Sequence, residues 1–564
     1  MRKLTILTLT AVSAAVFTSC SKMGALSPEN FTVTPTPLEA VGGEVQASIS
    51  ATFPKKYMKK KATVVATPVL KYNGGELVGE GAVYQGEKVA GNATTVSYKV
   101  GGTYTMRTTF PYSDAIQQSD LYMRFLARKG SKTYDIPDVK IGYGVVATSQ
   151  LLNGCLATTN PALAPDAYQR VVRQKQEAQI KYLVNQANIR ASELKTNSIK
   201  DFVNILKEIN DNSQTRQLQN IEVSAYASPE GSYDFNARLA EKRQDSSSDY
   251  VNKQLKQNKM TADVDTKFTA EDWDGFQQLV SASNIQDKDV ILRVLSMYSD
   301  PAEREQQIRN MSVVYDELAK GILPELRRAR LIANYDVIGR SDEQIVAQFA
   351  SDARQLSVEE MLYGAALQKD NTQRKAWYEK AAQLFPTDMR AFNNLANLAY
   401  QSGDTQSAIN YLQKAQSLNA ASPEVATNRA LIALAQGNVP EAEALIAKGT
   451  GANTYSEVLG NINIAKGNYS AAAQNLAGIN TNSALLAQIL NKDYSAAEKT
   501  LAKIENVDAY TSYLSAILGA RQGNASAVVK GLTTALQQKP ELASRIAKDL
   551  EFVKYASQIA NLLK

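Results

Sequence analysis

The chain of 564 residues contains 62 Lys and Arg, 56 Asp and Glu, two Cys and no His. The absence of histidine excludes Ser-His-Asp and Cys-His catalysis and removes the commonest metal ligand. A net charge of +6 is too low for a nucleic-acid partner to be expected. The sequence contains no phosphate-binding glycine loop, dinucleotide signature or metal-ligand cluster. It therefore predicts a non-enzymatic protein with no metal or other cofactor.

The N-terminus has the pattern of an export signal. Residues 1–3 are basic, and the apolar run that follows is too short to span a bilayer. It ends in Phe-Thr-Ser-Cys at residues 17–20, which resembles a bacterial lipoprotein signal. The resemblance implies a signal peptide over 1–19 and lipidation of Cys20; an ordinary secretory leader is the alternative. Without Asp after the cysteine or an acidic export signal, it implies an outer-membrane lipoprotein, with a periplasmic orientation favoured over a surface one.

A β-rich region follows the proline-containing segment 20–32, which is predicted to be a tether. Residues 44–53 alternate between apolar and polar side chains, and residues 62–70 are rich in β-branched ones. Glycine pairs at 74–75 and 101–102 mark turns. This pattern predicts an antiparallel β-sandwich of immunoglobulin type over residues 33–150.

Five lysines between residues 55 and 61 surround Tyr57. One interpretation is contact with anionic headgroups or glycan. The other is a solvated loop beside an edge strand protected by lysine, and the sequence favours this second interpretation.

The middle region alternates strand and helix patterns over residues 166–340. Residues 224–232 read Ser-Ala-Tyr-Ala-Ser-Pro-Glu-Gly-Ser and are followed by Asn236, Leu239 and Arg243. This segment resembles the core motif of OmpA-like peptidoglycan-binding domains, in a form similar to that of Bacteroidetes envelope proteins. Arg327 and the strand after it resemble the closing segment of that family. The resemblance implies an α/β domain. Apolar residues at helical spacing predict a helical insertion over about 270–317, which the simplest members of the family lack.

The resemblance also implies a site for the peptide stem of peptidoglycan. In the family, an Asp carboxylate pairs with the ammonium of the diamino acid, and an Arg binds that residue's carboxylate. Arg243 occupies the Arg position and Asn236 a further motif position, but Ser228 stands where the Asp is expected. Glu230 is the candidate substitute for that countercharge. The alternative is an OmpA-like fold used as a scaffold, without stem-peptide binding.

The C-terminal region, residues 352–564, contains repeats. Gly-Asp or Gly-Asn pairs begin at Gly403, Gly437, Gly467 and Gly523, and Lys492-Asp493 takes the same place in one repeat. Small and large apolar residues around these turns resemble tetratricopeptide repeats, which implies an all-α solenoid whose groove binds protein partners.

Two functions follow from this multidomain organisation. The leading one is an outer-membrane lipoprotein that links the membrane to peptidoglycan and docks envelope proteins in the groove of its repeats. The alternative is an adaptor subunit of an outer-membrane assembly or secretion machine that does not bind peptidoglycan.

Overall fold

The computed structural model describes residues 23–563, except Ala25, Gln286 and Met311. The predicted signal peptide and Cys20 lie outside the described residues. Packing divides the chain into two compact units. Unit 1 contains the described residues up to Pro165 and from Gln368 onward, and unit 2 is Asp166–Leu367.

The first part of unit 1 is a β-sandwich, which confirms the predicted N-terminal β-rich region. One sheet has the order β1-β3-β2, with β8 on the other edge of β3, and the second has the order β10-β9-β4-β6-β7, with β5 also on β4. Alternate side chains of β3 point into the core, as the sequence pattern requires. The strands are β1 Phe31–Thr34, β2 Ala40–Val41, β3 Glu44–Phe53, β4 Thr63–Tyr72, β5 Gly75–Val78, β6 Ala82–Gly86, β7 Thr94–Val96, β8 Gly102–Pro111, β9 Ser119–Lys129 and β10 Lys132–Tyr143.

The segment predicted to be a tether is packed for part of its length. Met23 and Leu26 are only 6% and 4% exposed and belong to the sandwich core. Two apolar residues among polar ones give no periodic signal, so the sequence alone did not show this packing. The sandwich therefore holds the chain from Met23 onward.

The second part of unit 1 is a helical array, which confirms the predicted repeats. Successive helices pair as hairpins. The helices from α14 onward share one large apolar core, and α12, α13 and α14 share a second, smaller one. The helices are α11 Asn371–Leu384, α12 Met389–Gln401, α13 Thr405–Leu418, α14 Pro423–Ala435, α15 Val439–Ile446, α16 Tyr455–Ala465, α17 Tyr469–Asn475, α18 Asn482–Leu490, α19 Tyr494–Leu501, α20 Ala509–Arg521, α21 Ala525–Gln538, α22 Ala543–Ile546 and α23 Ala556–Ile559.

The turn within each repeat explains the recurring glycine. Gly403, Gly437, Gly467 and Gly523 all have φ between 76° and 82°, in the left-handed region that a glycine adopts without strain. The Asp or Asn that follows begins the second helix; Asp404, for example, accepts a hydrogen bond from the Ser407 N–H. The turn motif is thus a C-cap followed directly by an N-cap.

Lys492 takes the glycine position of one turn, with φ 63°, and its side chain is exposed. We expect Lys492→Gly to raise the free energy of unfolding of unit 1 by about 1 kcal/mol, because a side chain is strained in the left-handed region. Urea unfolding followed by circular dichroism would measure the change. The reverse substitution, Gly523→Lys, should lower stability by a similar amount; equal stabilities would contradict the explanation.

Unit 2 is an α/β domain around one four-stranded sheet of order β11-β14-β12-β13. β12 pairs in parallel with β13 and antiparallel with β14, and two long helices, α2 and α3, pack on the sheet through an apolar core. The strands are β11 Val171–Lys181, β12 Arg216–Tyr226, β13 Asp263–Thr269 and β14 Arg328–Ile338, and the two helices are α2 Asn197–Asp211 and α3 Tyr233–Gln257.

Five further helices lie between β13 and β14, where the helical insertion was expected, and have a small core of their own. Two more, α9 Asp342–Asp352 and α10 Val358–Leu367, follow β14 and belong to unit 2, although the predicted repeat region began at residue 352. Membership of the OmpA-like family stays a prediction. The inserted helices are α4 Trp273–Ala282, α5 Lys288–Met297, α6 Pro301–Asn310, α7 Ser312–Gly321 and α8 Leu323–Leu326.

Candidate functional sites

The groove of the repeat array contains a segment of the chain itself. After the sandwich, the short helix α1, Leu152–Leu156, packs against α14, α16 and α18. Residues 157–165, which we name the strap, then run along α16, α14 and α12. Cys155 at the end of α1 is fully buried, and burial raises the pKa of its thiol well above the usual range. A buried neutral thiol is a poor nucleophile.

Asparagine side chains of the array hold the strap by its main chain. Asn428 on α14 binds both polar groups of Ala162: its Oδ1 accepts from the Ala162 N–H at 2.6 Å, and its Nδ2 donates to the Ala162 carbonyl at 2.8 Å. Asn393 and Asn397 on α12 donate to the same carbonyl at 2.9 and 2.8 Å. Asn428 Nδ2 also lies 2.8 Å from Asn397 Oδ1 and 3.0 Å from Asn393 Oδ1, which joins the two helices.

A second residue of the strap is held in the same way. Asn394 accepts from the Ala164 N–H and donates to the Ala164 carbonyl, both at 2.9 Å. The two donor and acceptor pairs reproduce the pairing of a neighbouring β-strand. Ala162 and Ala164 are at most 1% exposed, whereas Leu163 between them is 40% exposed. The groove therefore recognises an extended main chain with small side chains at alternate positions.

The first half of the strap contacts α16 through a hydrogen bond between two side chains and through a carboxylate, not through paired amide contacts. Asn461 Nδ2 donates to Thr159 Oγ1 at 3.0 Å, and the Glu457 carboxylate accepts from the Asn160 N–H. Glu457 is 4% exposed, and its Oε1 has no hydrogen-bond partner. Burial raises the pKa of Glu457 to about 7, although the Asn160 N–H opposes the shift. This carboxyl therefore titrates near neutral pH at the point where the strap enters the groove.

Sequence reasoning did not identify these groove residues. A usable signal was present, because asparagine is unfavourable inside helices and yet recurs on the first helix of successive repeats. The recurring residues that contact the strap are Asn393, Asn394, Asn397, Asn428 and Asn461.

A cavity of about 410 Å³ lies beside the strap, toward the later repeats. Its wall combines strap residues Thr158 and Asn160 with amide, hydroxyl and charged side chains, including Gln401 and Lys503. Such a lining suits a polar ligand or an extended peptide rather than an apolar molecule.

In unit 2, the loop between β12 and α3 brings two of the predicted site residues together. Ser228 Oγ donates to Glu230 Oε1 at 2.6 Å. The same carboxylate accepts two hydrogen bonds from Arg327, at 2.8 and 3.1 Å. The Glu230 carboxylate, the candidate for binding a stem-peptide ammonium, is thus already paired with a guanidinium of the same unit.

Arg243 and Asn236 do not join this pair by hydrogen bonds. Arg243 is 1% exposed, and its guanidinium donates to the carbonyls of Gln186, Tyr226 and Leu183 at 2.8 to 3.1 Å. Burial lowers the pKa of Arg243 to about 10. Asn236 donates to the Gly231 carbonyl at 3.0 Å and so closes the loop. The contacts of both residues fit a role in positioning the loop.

Within the described part of the chain, no group of carboxylates and cysteines is arranged to hold a metal ion. No helix there is both long enough and apolar enough to cross a membrane.

Comparison with known proteins identifies part of the array. Residues 399–458 match the family model of the tetratricopeptide repeat, and no curated protein matches the chain. The chain is similar to the structure of a tetratricopeptide repeat protein from Parabacteroides merdae, with 15% identity over 42% of this chain and 93% of that one and a TM-score of 0.28. It is similar to Pseudomonas aeruginosa PilF, with 16% identity over 37% and 98% and a TM-score of 0.26. It is also similar to yeast Tom70, with 11% identity over 64% and 84% and a TM-score of 0.24. TM-scores this low support no inference about this chain, whereas the family match shows that it contains tetratricopeptide repeats, a protein-interaction fold.

Proposed function

We propose that the protein is a non-enzymatic adaptor of a bacterial outer-membrane assembly, lipid-anchored at Cys20 on the periplasmic face. The repeat array binds an extended segment of an envelope protein. The observation that supports this function is the strap, because the array already holds an extended chain by main-chain hydrogen bonds from Asn394 and Asn428. Recognition of a main chain leaves the outward side chains, such as that of Leu163, free to vary, as an adaptor requires.

The strap determines where the partner segment binds. It fills the groove along α12, α14 and α16, so this part is closed unless the strap leaves. The polar cavity lies beside the strap and is lined by the segments that precede α18 and α20. A partner segment bound there would find the amide of Asn506 and the ammonium of Lys503 in the wall.

Co-purification from crosslinked membranes in mild detergent tests this function. We expect a stable complex with the wild type that is lost with Lys503→Glu, because the substitution replaces the ammonium in the cavity wall by a second carboxylate beside Glu505. Lys499→Glu is the matched control, since Lys499 is also exposed on the same repeat but does not line the cavity. Loss of the complex in both variants, or in neither, would contradict the proposed site.

The geometry gives less support to a link with peptidoglycan. The carboxylate of Glu230 is paired with Arg327, and the donors of Arg243 face main-chain carbonyls. A stem peptide would have to break these contacts. We therefore expect the chain without its leader to sediment with purified sacculi no more than an unrelated protein does. Sedimentation of the wild type that Glu230→Gln abolishes would instead establish the link.

A further inference from the structure

Cationic side chains from several loops and strand ends lie together at one end of the β-sandwich. The register places the end of β3, the starts of β4 and β8, and the end of β9 on the same side, since Phe53 pairs with Gly102 and Thr63 with Arg128. We name this side the basic end. Its cations are Lys55, Lys56, Lys59, Lys60, Lys61, Lys88, Lys99, Arg128, Lys129 and Lys132.

The loops that carry these lysines are fixed to one another by main-chain hydrogen bonds. The Lys56 N–H donates to the Tyr98 carbonyl at 2.7 Å, and the Lys88 N–H donates to the Lys60 carbonyl at 2.7 Å. The ammonium groups of Lys59 and Lys60 both lie within 6 Å of the Tyr98 ring centroid, at 5.9 and 5.7 Å. The basic end is therefore one surface rather than a set of separate loops.

The described residues do not neutralise the charge of the basic end. Among the described residues, none of its ten cations forms an ion pair with a carboxylate, although Glu29 and Glu87 lie on this side. The opposite side differs, because Lys71, Arg124 and Lys140 there are paired with acidic partners. The sandwich thus has an excess of positive charge on one side only.

The chain enters the sandwich at this same side. Phe31, the first residue of β1, pairs with Ala51 near the end of β3. Tyr57, within the lysine loop, donates to the Gly24 carbonyl at 2.9 Å. Gly24 follows Cys20 by four residues, and four residues of fully extended chain span at most about 14 Å. A lipid on Cys20 would hold the basic end within that distance of the bilayer surface.

We propose that the basic end is a membrane-contact surface that binds anionic phospholipid headgroups. Lysines close to an anionic bilayer are attracted to its phosphates, and the attraction acts over a Debye length of about 8 Å at physiological salt. Val100 is 79% exposed beside Lys99 and offers an apolar contact with the interfacial region. The orientation rests on the lipid anchor of the proposed function, whereas the binding itself does not require the anchor.

Vesicle co-sedimentation of residues 21–564, which lack the anchor, tests the surface directly. We expect binding to vesicles with about one-third phosphatidylglycerol to exceed binding to pure phosphatidylcholine by at least about tenfold, and to weaken as salt is added. The triple variant Lys55→Glu, Lys61→Glu and Lys99→Glu should bind the anionic vesicles about a hundredfold more weakly. These three side chains are exposed, so the fold should be unchanged.

The control is a triple variant with the same net charge in the repeat array, Lys499→Glu, Lys530→Glu and Lys548→Glu. Vesicle binding that survives in the control and is lost in the first variant supports the proposal. Equal binding to neutral and anionic vesicles, or equal loss in both variants, overturns it. Binding to heparin without binding to vesicles also overturns it and assigns the surface to an anionic glycan. Because no partner or acyl chain is present, these outcomes do not depend on the adaptor function.

Discussion

Replacing Asn428 by Ala should release the strap from the repeat array. The side chain is 3% exposed. Its Oδ1 accepts one hydrogen bond from Ala162, and the two N–H groups of its Nδ2 are shared among the Ala162 carbonyl and two asparagines of α12. Each neutral hydrogen bond contributes about 1 kcal/mol, and a buried N–H left unpaired costs more. We expect docking of the strap to weaken by about 3 kcal/mol, which is roughly a hundredfold in its opening equilibrium.

The rate at which a maleimide labels the Cys155 thiol measures this opening. Cys155 is the one cysteine in residues 21–564 and is fully buried seven residues before Ala162. Labelling by a maleimide in native buffer should accelerate about a hundredfold in Asn428→Ala, while far-ultraviolet circular dichroism stays unchanged. Ala162→Leu should have a similar effect from the strap's side, because Ala162 is 0% exposed and has no room for the larger side chain.

Two controls separate release of the strap from general unfolding. Asn410→Ala removes an exposed asparagine of α13, and Leu163→Ala shortens the exposed side chain between the two buried alanines. Both should label like the wild type. If Asn428→Ala also labels like the wild type, the asparagine contacts do not hold the strap.

Replacing Glu457 by Gln should change how the stability of unit 1 depends on pH. Below pH about 4.5 the carboxyl is protonated in both the folded and the unfolded chain, so its pKa difference has no effect on stability. Between pH about 4.5 and 7 the unfolded chain loses the proton while the folded chain keeps it, because burial raises the folded pKa to about 7. The free energy of unfolding therefore falls over this interval by about 3 kcal/mol and stays lower above it.

Glutamine has the same shape and keeps an oxygen for the Asn160 N–H, but it does not ionise. We expect Glu457→Gln to match the wild type near pH 4.5 and to be more stable by about 3 kcal/mol at pH 8. Urea unfolding monitored by Trp377, a buried residue of unit 1, measures this difference. A Trp273→Phe background removes the signal of unit 2, since the chain has two tryptophans.

Glu541→Gln, which changes an exposed glutamate of the same array, is the control and should leave the pH profile unchanged. Parallel profiles for the wild type and Glu457→Gln would show that the carboxyl titrates in its usual range. In that case the entry of the strap into the groove would not be sensitive to pH near neutrality.

The sequence by itself determined the features that depend on neighbouring residues. Alternation of apolar and polar side chains predicted β3, and the recurring Gly-Asp and Gly-Asn pairs predicted the turns of the repeats. Both signals are local, because side-chain direction in a strand and left-handed φ in a turn are set within a few residues. A helical insertion between two strands of the middle region was likewise readable from its apolar spacing.

Only the tertiary structure decided the contacts between residues far apart in the chain. Asn428 meets Ala162 across 266 residues, and Arg327 meets Glu230 across 97. Hydrogen bonds to a main chain require no particular side chain in the partner, so the sequence of the strap gave no sign of its place in the groove. The loop residue Glu230 could be named from its motif, but its charge partner depended on how β14 folds back beside the loop.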